Sequence, residues 1–217
     1  MRRMLATFLL LLVFAHAVSA ETAWQLDCSA YSNMQKCAMS YASKVAEQYP
    51  GMFTRRDGNL VVMLHEGRTH VLPDPKSRLD VVSVHQMSQF AVVREQYYEG
   101  NTWHVLSLKD GTLTNVGGFP VFAPNGMFFF AIEPLSEAYN SSVARIYVAK
   151  QPTPTIVWDA KCRQTNWGPS ALIWLGSERV SFEQTRFDKT GKEVPIGKAV
   201  VSNQNGIWKA AGLSCRG

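Results

Sequence analysis

Four cysteines carry the chemistry that is easiest to place: Cys28, Cys37, Cys162 and Cys215. An even number in an exported chain reads as two disulfides, and four cysteines allow three connectivities. Pairing Cys28 with Cys37 and Cys162 with Cys215 keeps each bridge within one apparent structural unit. The rival, Cys28 with Cys215, would tie the two ends of the chain together. A metal site would want paired Cys-x-x-Cys spacing or histidines beside the cysteines, and the sequence has neither. No metal or other cofactor is expected.

Three glutamates form the second group. Glu95, Glu133 and Glu183 each close a short apolar run: Ala91-Val92-Val93-Arg94-Glu95, Phe130-Ala131-Ile132-Glu133 and Val180-Ser181-Phe182-Glu183. Carboxylates at equivalent positions around a shared opening would bind a cation or a basic partner. A carbohydrate-active enzyme would want two of them roughly 5–10 Å apart in one cleft. The plainer reading is that they recur at strand ends because the unit itself recurs. Asp80, Asp159 and Asp188 could join them, but spacing selects no pair. His65, His70, His85 and His104 fall in no H-E-x-x-H motif, and no serine sits in G-x-S-x-G.

Trp103 and Trp167 are candidate binding residues, since aromatics line peptide and sugar grooves. The alternative is that they fill space between packed sheets. Lys and Arg are dispersed, with Arg55-Arg56 the only notable pair after the leader. A basic stripe interleaved with aromatics is missing, so nucleic acid is not an expected partner.

These residues are distributed over a leader and two segments. Arg2 and Arg3 precede an apolar run from Leu5 to Val18, and Val18-Ser19-Ala20 offers small residues for cleavage. Residues 1–20 therefore read as a signal peptide, which places the protein in the periplasm or outside the cell. No later segment is long and apolar enough for a membrane span. The leader also alters the charge. The chain of 217 residues has 22 Lys and Arg against 17 Asp and Glu, a net +5. Removing Arg2 and Arg3 leaves 20 against 17, about +3, too mild to define a partner.

Residues 21–55 read as a helical, disulfide-tied segment. Ser32 or Asn33 can cap a helix running to about Tyr49. Cys37, Tyr41, Val45 and Tyr49 recur every four residues as one helical stripe, and Pro50-Gly51 ends it. Residues 56–217 read as a β-repeat domain. Turns at Asp57-Gly58 and Glu66-Gly67 delimit strands at 60–64 and 69–72, a leading hairpin. Further strands follow at 80–84, 90–94, 103–108 and 113–116.

A repeat of roughly 40 residues runs through this domain. The stretch Val105 to Leu113 parallels Val200 to Trp208, each a strand, a polar turn with Gly, and a second strand. Ile146 to Pro152 occupies the same slot, and the three glutamate-ended runs lie upstream of each copy. Four strands in about 40 residues is the size of a propeller blade.

The segment Phe119-Pro120-Val121-Phe122-Ala123-Pro124-Asn125-Gly126-Met127-Phe128-Phe129-Phe130-Ala131 resembles the W-S-P-D-G-x-x-I-A-F pattern of TolB-type propeller repeats. Phe122 stands where the Trp would be, and Asn125-Gly126 where Asp-Gly would be. Trp167-Gly168-Pro169-Ser170 is a degraded copy without the Asp-Gly. The resemblance implies a propeller-like fold and protein partners.

The expected fold is all-β: a small or incomplete β-propeller-like repeat domain, with a β-sandwich or meander as the alternative, behind a short N-terminal helix. The expected function is non-catalytic protein binding or scaffolding, with another envelope or secreted protein as partner. Two alternatives stand beside it. An inhibitor or immunity-type protein would plug an exported enzyme with a protruding connection, at 133–144 or 184–198. A carbohydrate-active enzyme would need its carboxylate pair.

Overall fold

Asn33 starts the helix. Its Oδ1 accepts a hydrogen bond from the Lys36 N–H at 2.9 Å, satisfying a donor that the first turn would otherwise orphan. Helix α1 spans Met34–Gln48, and Tyr49 caps it by donating its N–H to the Val45 carbonyl at 2.9 Å. A disulfide between Cys28 and Cys37 ties the helix to the segment before it. The structure, a computed structural model, describes residues 26–76, 78–98, 100–133, 142–160 and 167–214. Cys162 and Cys215 lie outside the described residues, as does the expected leader. No helix among the described residues is long and apolar enough to cross a membrane.

Among the described residues the chain beyond the helix is all-β, in four small antiparallel sheets. The first contains β1 (Phe53–Arg56), β2 (Asn59–Met63) and β3 (Thr69–Leu72), so the β-domain begins a few residues before the expected boundary at 56. The second contains β4 (Leu79–His85), β5 (Phe90–Tyr97), β6 (Gly100–Ser107) and β7 (Leu113–Gly117). The third contains β8 (Phe119–Phe122), β9 (Phe128–Glu133), β10 (Val143–Val148) and β11 (Thr155–Asp159). The fourth contains β12 (Trp167–Trp174), β13 (Arg179–Phe187), β14 (Glu193–Gln204) and β15 (Ile207–Ala211). The 184–198 connection is thus the ladder of β13 and β14 closed by a short turn, not a protruding loop.

Every sheet is a meander with strands in chain order. The repeat seen in sequence is this sheet. Glu95, Glu133 and Glu183 lie on its second strands, and the parallel runs from Val105, Ile146 and Val200 lie on its third strands and the turns that follow. The first sheet is shorter by one strand. The turn between β2 and β3 stacks on the turn between β6 and β7: the His65 N–H donates to the Leu108 carbonyl at 3.0 Å. A Cβ added to Gly111 would fall 2.2 Å from the His70 ring. Strands β1, β2 and β3 therefore correspond to β5, β6 and β7, and the leading strand is the one the first sheet lacks.

Three apolar cores join the four sheets in series. Leu60, Val62 and Leu72 meet Val81, Ala91, Val93 and Leu106 between the first and second. Phe90, Val92, Trp103 and Val105 meet Phe129, Ala131 and Tyr147 between the second and third. Phe128, Phe130 and Ile132 meet Val180, Phe182, Val201 and Trp208 between the third and fourth. Among the described residues no core joins the fourth sheet back to the first. The described residues thus form an open stack of sheets.

Polar groups pin the sheets at their turns. The Gln151 amide, after β10, donates to the Ser88 carbonyl at 2.8 Å and the Gln89 carbonyl at 2.6 Å. The Trp174 indole N–H donates to the Val121 carbonyl at 2.9 Å. At Gly118 the chain passes so close to β9 that a Cβ would lie 1.8 Å from the Ile132 carbonyl oxygen, so only glycine fits. Helix α1 packs on β4, the edge strand of the second sheet. It straddles that edge, giving Cys37 and Ala38 to one core and Val45 to the other.

Candidate functional site

The turn Asp57-Gly58 closes the first hairpin, with both residues at positive φ, 51° and 73°. This is the two-residue turn whose twist suits an antiparallel pair. It sets the register Arg55↔Leu60, Thr54↔Val61 and Phe53↔Val62. The Met63 N–H donates to the Met52 carbonyl at 2.8 Å, which fixes the phase of the ladder. Hydrogen-bonded pairs alternate with non-bonded ones, so Thr54 and Arg56 bond to β2 while Phe53 and Arg55 do not. The backbone N–H and C=O groups of Phe53 and Arg55 point out from the edge of the sheet, which pairs with no further strand among the described residues. Their side chains lie on the face of Leu60 and Val62, toward the core.

Beside this edge lies a cleft of 290 Å³. Helix α1 supplies one wall through Met39, Ala42 and Ala46; β1 supplies Phe53 and Arg55, and β4 supplies Leu79 and Asp80. The cleft lies next to β1, between its edge, α1 and β4. A second cleft, of 350 Å³, adjoins Asp74 and Leu79 and is lined by Leu72, Arg78, Glu95 and Leu113.

The Asp74 and Asp80 carboxylates at the clefts are already paired. Arg55 donates to Asp74 at 2.6 Å and to the Leu79 carbonyl. The Asp74 side chain is buried and also accepts from the backbone N–H groups of Arg78 at 2.6 Å and Leu79 at 3.1 Å. Asp80 pairs with Arg94 at 3.2 Å. Burial raises the Asp80 carboxyl above its ordinary range, although Arg94 and Arg55 pull the other way. Burial likewise lowers Arg94, whose Nε has no hydrogen-bond partner among the described residues. With each carboxylate matched by a guanidinium, the cleft offers apolar walls and a strip of free backbone hydrogen-bonding groups. That arrangement suits a polypeptide backbone.

The three glutamates occupy different surroundings. Glu95 lies 2.9 Å from the His104 Nε2, beside the second cleft. Glu133 lies on the face of Phe129 and Ala131, between the second and third sheets, with its carboxylate near Gly117. Burial raises its carboxyl, and Arg145 partly offsets this. Glu183 lies on the free face of the fourth sheet and pairs with the exposed Lys198 at 3.3 Å.

The last placement has a physical cause. In the second and third sheets the glutamate side faces the preceding sheet. Glu95 and Glu133 lie three residues past Val92 and Phe130, the partners of Val105 and Ile146, whereas Glu183 lies two past Ser181, the partner of Val200, so a period of two sends it to the other face. Gln184 takes the inward position instead. It is fully buried; its Oε1 accepts from Trp167 at 3.1 Å and from the Ser214 N–H at 2.7 Å, and its amide donates to the Gly212 carbonyl at 2.9 Å.

Trp167 and Trp103 are buried in sheet-to-sheet cores. Trp103 meets Phe119 edge-on at 4.9 Å between ring centroids, and Trp167 meets Phe182 edge-on at 6.4 Å.

Reasoning from sequence did not assemble Arg55, Asp74, Asp80 and Arg94, nor identify β1. The usable signal was the repeat count: three units of four strands follow a leading hairpin of two, and a lone deficient unit has an unfilled position. No family model matches the chain, and no curated protein matches it.

Proposed function

We propose that the protein is an exported, non-catalytic binding module whose partner is another envelope or secreted protein. The observation that carries this reading is the apolar cleft bordered by the free edge of β1, between α1 and the first two sheets. A free strand edge with an adjoining groove is a template for another chain. The Cys28–Cys37 bridge fits an oxidising compartment, and the leader-like residues 1–20 point to the same place. The resemblance of 119–131 to TolB-type repeats also favours protein partners.

The test is affinity capture from an envelope extract with the exported chain as bait, followed by amide-exchange footprinting of the complex. The expected result is repeated recovery of one protein whose binding protects backbone within 39–55. Recovery of nothing, together with turnover of a glycan substrate, would overturn the reading.

A further inference from the structure

We propose that the first sheet is completed in trans: an extended segment of a partner protein adds along β1 as the missing leading strand. The inference rests on the protein-binding reading above and names the partner's chemistry and its docking mode. Among the described residues three sheets have four strands and the first has three, short at its leading position. Where the second sheet continues to β4, the first stops at β1 and borders a 290 Å³ cleft. The N–H and C=O groups of Phe53 and Arg55 face that cleft edge, spaced two residues apart as an added antiparallel or parallel strand requires.

The walls define what the strand would carry. Successive side chains of an added strand point to opposite faces. One face enters the cleft against Met39, Ala42 and Leu79, so alternate residues of the incoming segment are apolar and of moderate size. The opposite face lies beside Thr54 and Arg56, both exposed. Arg56 makes no ion pair among the described residues, whereas Arg55 is committed to Asp74. A carboxylate on the outward positions would meet the Arg56 guanidinium. The partner segment is therefore extended, with alternating apolar and acidic residues.

The test uses two synthetic probes on the full exported chain, an end-blocked (Glu-Val)3 hexapeptide and its (Lys-Val)3 counterpart, read by amide exchange at Phe53 and Arg55. The acidic probe is expected to slow exchange at both amides and to bind more tightly than the basic one. Arg56→Glu should weaken the acidic probe by about fivefold and favour the basic one. Ala42→Trp, which fills the cleft from the partly exposed helix face, should abolish protection by either.

Several results would overturn the inference. These are no protection by the acidic probe, equal protection by both, or protection confined to another sheet edge. Slow exchange at Phe53 and Arg55 without a probe would also overturn it: if it depends on protein concentration a second copy covers the edge, and if it does not the chain's own residues do. A partner captured from envelope extract that leaves these two amides unprotected would sink this inference while leaving the binding reading intact.

Discussion

The two inner sheets and the two outer ones are built from the same repeat but bury it differently. In β5 the residues Phe90 to Arg94 are all buried, and in β9 so are Phe128 to Ile132. Each of these strands feeds one core with its odd positions and another with its even ones. In β13, Val180 and Phe182 are buried while Ser181 and Glu183 remain partly exposed. In the first sheet Met63 and Val71 stay 44% and 51% exposed. Among the described residues the first sheet is one strand short and borders the 290 Å³ cleft.

This contrast can be broken by mutation. The largest effect is expected at a doubly packed strand: Phe130→Ala should cost about 3–5 kcal/mol in denaturant unfolding, as for other fully buried aromatics. On the free face of the fourth sheet, Ser181→Ala should stay within about 0.5 kcal/mol. Equal costs at the two positions would mean that the fourth sheet is covered on both sides.

Asp80→Ala comes next, because it strands Arg94 in a site where its side chain is 3% exposed. Breaking such a pair costs about 3–5 kcal/mol, whereas the double replacement Asp80→Leu with Arg94→Met should recover much of the loss. A double variant as unstable as the single one would show that the charges matter for more than each other.

The double replacement Cys28→Ser with Cys37→Ser should cost roughly 2–3 kcal/mol, since the bridge closes a short loop. The loss should appear first as fraying of α1 from β4, seen as faster amide exchange in the helix while β9 stays protected.

The smallest effect concerns pH. Burial raises the Glu133 carboxyl in the folded protein above its unfolded value. Its contribution to stability is then fully present below the unfolded pKa and is lost as pH rises through the folded one. Glu133→Gln should match the parent protein in acid and gain stability relative to it as pH rises out of the carboxylate range. Urea unfolding at a series of pH values checks this, and a gain that is largest in acid would contradict it.

The fold was legible where local rules and packing agree. Asn33, the four-residue stripe of α1 and the strands around Phe90, Trp103 and Phe128 all follow from caps, periodicity and apolar runs. The open end of the stack was not legible, because edge pairing leaves no mark on composition. The glutamates show a subtler failure. Their alignment by sequence is one residue out in the last copy: by register Gln184, not Glu183, holds the position that Glu95 and Glu133 hold in their sheets. Arg94 and Asp80 read as ordinary charged residues because their pairing is set across strands by register. The site was half-visible: the leading unit could be counted as deficient, but not which strand it lacked.

The most direct test is residue-resolved amide exchange of the purified protein alone, at low concentration. The account predicts fast exchange at Phe53 and Arg55, on the free edge of β1, beside slow exchange throughout β5 and β9. Protection of Phe53 and Arg55 equal to that of β9 would mean that the first sheet is already complete, and would contradict it.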